Sequence, residues 1–146
     1  MLKSVCLMGA LLVAAAPAFG QSCGTAPLAP AIPASSDLNG KAPDDAHKFV
    51  LDVLKNVKAY QASLGTYRGC LKAQEAVELT ALNDAKTAGD KTKIAAAQQQ
   101  AQSTIDVENK TVETEQQLAT DYGTLHNAYC AMGTGLAGCP AAPATH

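Results

Sequence analysis

The chain has no tryptophan, and past residue 20 its only aromatics are Phe49, Tyr60, Tyr67, Tyr122 and Tyr129. Aromatic side chains bury roughly 150–250 Å² each and dominate thick cores, so this composition excludes a large globular interior. The hydrophobic share of 47% does not replace them, because much of it is alanine or lies in the first 20 residues. Basic residues form no block and the formal net charge is −2, so nucleic acid is not an expected partner. After residue 20 no apolar run approaches the roughly 20 residues that cross a bilayer, so no membrane anchor is expected. Neither a Cys-x-x-Cys pair nor a Cys-x-x-Cys-His run occurs, which removes the usual dithiol redox centre and covalent haem attachment. An elongated helical protein remains within reach of such a sequence.

What is present starts with residues 1–20, MLKSVCLMGALLVAAAPAFG, which read as a secretory signal peptide. Lys3 supplies the charged start, Val5 to Ala16 the apolar stretch, and Ala18-Phe19-Gly20 a cleavage site before Gln21, with Ala16-Pro17-Ala18 as a second one. Cys6 leaves with this segment. A lipid anchor on Cys23 is not expected, because Gly20-Gln21-Ser22 lacks the leucine-type residue of a lipobox. Cleavage removes Lys3 and takes the charge from −2 to −3. The expected location is therefore the periplasm or the exterior, where thiols pair.

Residues 21–43 hold Pro27, Pro30, Pro33 and Pro43 among small and polar residues, which predicts an extended Pro-rich arm. Pro43 suits a first helical turn, and Asp44 and Asp45 place negative charge at the positive end of the helix dipole. Apolar positions then step by three and four: Ala46, Val50, Val53, Val57, Tyr60, Leu64, Tyr67 and Leu71. The spacing, that of a coiled coil, weakens through Gln74 and Glu78. Gly89 and Asp90 read as the end of one helix and the cap of the next. The expected return seam is Ile94, Ala97, Ala101, Ile105, Glu108, Val112, Glu115, Leu118, Tyr122, Leu125 and Tyr129. Folding at Gly89 sets Tyr60 opposite Leu118 and Val53 opposite Leu125.

The predicted fold is therefore all-α, a long antiparallel helical hairpin over 44–132 behind the extended arm, with a Gly/Ala/Pro-rich tail over 133–146. Each limb of about 42–45 residues would span roughly 65 Å. Gly65 and Gly69 sit inside the first limb, and a break there would give three helices instead. Large side chains gather at the open end, whereas the turn end is Ala, Gln, Thr and Lys.

Four cysteines remain after export: Cys23, Cys70, Cys130 and Cys139. An even number implies two disulfides with three connectivities. In a continuous hairpin Cys70 and Cys130 lie about 22 residues apart along the axis, roughly 30 Å, beyond the ~7 Å reach of a bridge. Cys130–Cys139 closes a short Gly-bearing loop. Cys23–Cys70 needs the arm to run about 39 Å back along the helix, and an extended 20-residue arm reaches about 60 Å. That pairing is favoured, with Cys23–Cys139 and a free or intermolecular Cys70 as the alternative.

His126 and Cys130 stand one turn apart near His47, but a structural metal site wants four ligands and oxidation consumes the thiol, so no metal or cofactor is expected. Histidines facing solvent at a helix end are the expected arrangement. Glu108, Glu113 and Glu115 share a helix with Lys110, and without a pocket to raise one pKa they form a solvated face rather than an acid–base pair. No catalytic residue is expected. Tyr60, Tyr67, Tyr122 and Tyr129 come in heptad-spaced pairs, either as core with hydroxyls at the rim or as an apolar face for a partner or a second copy.

The run Tyr67-Arg68-Gly69-Cys70-Leu71, the Gln/Ala-rich return helix and its end from Asp121-Tyr122 to Tyr129 resemble small exported uncharacterised α-helical proteins of proteobacteria. That resemblance implies an exported helical chain and transfers no activity. The elongated exported shape also resembles periplasmic holdase chaperones, although their basic surface and motifs are missing here. The expected function is non-enzymatic: protein binding or a structural part, with a homodimer as one form of it. A holdase-type chaperone or stress protein is the alternative, and a metal- or redox-active protein the third.

Overall fold

The computed structural model describes residues 23–140. The signal-peptide reading of residues 1–20, and the last six residues of the tail, lie outside them. Two helices carry the fold, α1 (Pro43–Thr87) and α2 (Lys91–Cys130), and they pack antiparallel along their length. Pro43 opens α1 with Asp44 and Asp45 in its first turn, as the dipole favours. Gly65 and Gly69 do not break it. A Cβ at either would meet nothing within 4 Å, so neither glycine is needed for packing and α1 runs through both.

Helix α1 ends in a Schellman closure. Asp90 N–H donates to the Ala85 carbonyl and Gly89 N–H to that of Lys86, each at 3.1 Å, with Gly89 at φ +68°. A β-carbon is costly at that φ, which is why the turn falls on glycine. Asp90 then caps α2, its carboxylate accepting from Lys93 N–H at 3.1 Å. That backbone donor holds the Asp90 carboxyl below its ordinary value.

The core sits at the open end. Val50, Val53, Val57, Tyr60 and Leu64 from α1 meet Leu118, Leu125 and Tyr129 from α2. The arm makes a third layer. Its Ala29 and Ile32 pack on this core, and Leu38, on the 3₁₀ turn Ser35–Leu38, is buried against it. Gly40 at φ +76° then turns the chain into α1.

One part of the expected seam is corrected. Thr104 and Thr111 are buried on α2, whereas Ile105 and Val112 are each 39% exposed. Buried Ala97, Thr104, Thr111, Leu118 and Leu125 keep a strict seven-residue repeat, so the helical phase selects the threonines over their more apolar neighbours. Gln74 and Glu78 likewise stay in the phase of the α1 seam, half-buried and buried, and supply the hydrogen-bond partners that make threonine suitable opposite them.

Candidate functional site

Two polar layers cross the seam between the base and the turn. In the first, Arg68 reaches across from α1, Nε donating to Thr111 Oγ1 at 3.0 Å and Nη1 to Glu115 Oε2 at 2.6 Å. Gln61 Nε2 donates to the other Glu115 oxygen at 3.3 Å. Arg68 Nη2 is buried without a partner. In the second layer Glu78 Oε1 accepts from Gln74 Nε2 at 2.8 Å and Thr104 Oγ1 at 2.9 Å. Glu78 is only 3% exposed, and its Oε2 has no partner. Spacing alone misses both layers, since each needs the partner helix in register.

The cysteines are joined as Cys23–Cys70 and Cys130–Cys139. The first bond ties the arm to the middle of α1, from where it runs over the groove between the helices towards the base. Ala26 and Pro27 line that groove with Tyr60 and Tyr67, and Ala29 and Pro30 with Gln117 and Leu118. The second bond folds the tail back onto the base, where Leu136 packs on the core. This pair of disulfides fits an oxidising location outside the cytoplasm. Among the described residues no helix is long and apolar enough to cross a membrane.

Tyr60 and Tyr129 are buried, at 6% and 1% exposure, while Tyr67 and Tyr122 pack half-buried at the edge of the core. Only the edges of the latter two remain for contact with another molecule. Burial raises the Tyr60 phenol above its ordinary pKa; the Arg68 guanidinium opposes the rise and the Glu115 carboxylate adds to it. Burial raises Tyr122 in the same sense.

The base also gathers histidines that are half-buried rather than solvent-facing. Tyr129 Oη lies 3.0 Å from His47 Nδ1 and 3.3 Å from the Ala137 carbonyl. His126 stacks near Tyr122, with ring centroids 6.0 Å apart, and lies 3.9 Å from Cys130 Sγ. His126, Cys130 and Cys139 form a tight three-residue cluster, but both sulfurs are spent in the disulfide and neither is a thiolate ligand. Chemically the base is a clasp that orders the tail.

The remaining surface is marked by apolar side chains the arm does not cover. Leu51, Val77, Leu79, Ile105 and Val112 are all exposed along the two helices. No family model matches the chain, and no curated protein or solved structure matches it either.

Proposed function

We propose that the chain is an exported, non-enzymatic helical protein that acts by binding another protein or as a structural part. The observation that supports this best is the row of exposed apolar side chains on a long hairpin, with Leu51, Leu79, Ile105 and Val112 outside the groove the arm occupies. Apolar groups spaced along an extended surface suit contact with another polypeptide. The seven-residue repeat of the seam supports reading the hairpin as an antiparallel coiled coil. The signal-peptide reading and the two disulfides together support the periplasm or the exterior as its place of action.

Photocrosslinking tests the reading in the producing cell, with a photoreactive residue introduced in turn at positions 51, 79, 105 and 112. A discrete adduct, to another protein or to a second copy, is the expected result. Absence of any adduct at all four positions contradicts it. The same apolar residues also suit a holdase that shields unfolded clients. That second reading predicts suppressed aggregation of a heat-denatured client enzyme, and no effect at equimolar protein rules it out.

A further inference from the structure

His126 and Cys130 stand one turn apart at the end of α2, so their side chains share one face. The nine-residue step to Cys139 brings a second sulfur to the same place. The imidazole nitrogens lie 4.0 and 3.9 Å from Cys130 Sγ, and one ligand atom from each of the three residues falls within 4.8 Å of the others. All three side chains are half-buried, so the cluster is neither sealed nor fully solvated. The tail is also held there without the disulfide. Leu136 packs on the core, Cys139 N–H donates to the Leu136 carbonyl at 3.1 Å, and Tyr129 Oη lies 3.3 Å from the Ala137 carbonyl. Opening the sulfur–sulfur bond therefore leaves Cys139 beside Cys130 and His126.

We propose that the Cys130–Cys139 clasp is a redox-gated zinc site, with Cys130, Cys139 and His126 as its ligands. A dithiol reductant supplies two electrons and two protons. Its thiols become a disulfide, the Cys130–Cys139 bond breaks, and each cysteine sulfur takes up one proton. Zinc then displaces those protons and is held by two thiolates and the neutral imidazole, with water in the fourth tetrahedral position. At ordinary bond lengths such a centre sets sulfur and nitrogen about 3.6 Å apart and the two sulfurs about 3.8 Å apart. The imidazole already stands close to that distance from Cys130. The sulfurs part by an adjustment of the loop between them, whose Gly135 and Gly138 sit at positive φ. Calcium and magnesium do not suit this donor set, since both seek oxygen and it offers sulfur and nitrogen. The other cysteine pair has no such set, because the group 3.5 Å from Cys23 Sγ is the Gln74 amide oxygen. The closed clasp cross-links the tail through sulfur, and the open clasp cross-links it through the metal.

The test reduces the protein with a dithiol in the absence of oxygen, removes the reductant, and titrates cobalt(II) as a coloured stand-in, then zinc. A single saturable site with thiolate-to-cobalt charge-transfer and tetrahedral visible bands, displaced by zinc, is expected; the oxidised protein should show neither band. His126→Ala is expected to weaken zinc binding about tenfold or more. Cys130→Ser/Cys139→Ser retains Cys23 and Cys70. When oxidised it should keep the helical circular dichroism, and when reduced it should lose the charge-transfer band. Bound zinc should also shield Cys130 and Cys139 from alkylation, read by mass spectrometry. No binding of cobalt(II) or zinc by the reduced protein at micromolar metal overturns the proposal. Loss of helix in the oxidised double variant, or metal binding unchanged in both variants, overturns it equally.

Discussion

Tyr60 illustrates how a single side chain reports on the packing around it. Its ring lies in the base core while its hydroxyl shares an environment with Arg68 and Glu115. A phenol whose pKa is raised in the folded state stabilises fully below the unfolded value, near 10, and less as pH climbs past it. The thermal midpoint should therefore fall as pH rises above about 10, and Tyr60→Phe should fall less over the same range; a pH series of melts checks this. Glycine makes a second case. Gly65→Ala and Gly69→Ala should each stabilise by about 0.5–1 kcal/mol in denaturant unfolding, since both positions are helical with open space at Cβ. At this scale the sequence was a partial guide. Hydropathy ranked Ile105 and Val112 above Thr104 and Thr111, but the phase set by Ala97, Leu118 and Leu125 buries the threonines. What makes them suitable, Arg68 at one level and Gln74 with Glu78 at another, lies far away in the chain.

At the scale of the helices, the hairpin was legible because three local signals agree. The three-four spacing of apolar residues gives each limb, and Gly89 with Asp90 gives the turn. The position of that turn then gives the register of the two limbs. The polar layers were the illegible part, appearing in the sequence as a loss of pattern at Gln74 and Glu78. Buried charge of this kind is weak support for stability, and replacing it by well-packed apolar groups is often favourable. The double variant Glu78→Leu/Thr104→Val should gain about 1–4 kcal/mol in denaturant unfolding. Arg68→Ala should instead lose about 1–3 kcal/mol, because Thr111 and Glu115 lose their donor and the partly buried layer is left open.

The whole molecule is a two-helix hairpin made into a three-layer base by covalent ties. Two helices alone bury only one narrow seam, and the arm adds Ala29, Ile32 and Leu38 to it. Closing a loop of 47 residues, Cys23–Cys70 is worth about 4 kcal/mol on chain entropy, against about 2.5 kcal/mol for the nine-residue Cys130–Cys139 loop. Loss of the first should therefore lower the unfolding midpoint more than loss of the second. The arm's path was legible from length and reach, whereas its seating over Tyr60 and Tyr67 was not, because prolines and alanines carry no pairing signal. The most direct test of this architecture is peptide mapping of the protein under non-reducing conditions. Linked fragments joining Cys23 to Cys70 and Cys130 to Cys139 are the predicted result. A fragment joining Cys70 to Cys130 within one chain would contradict the continuous hairpin.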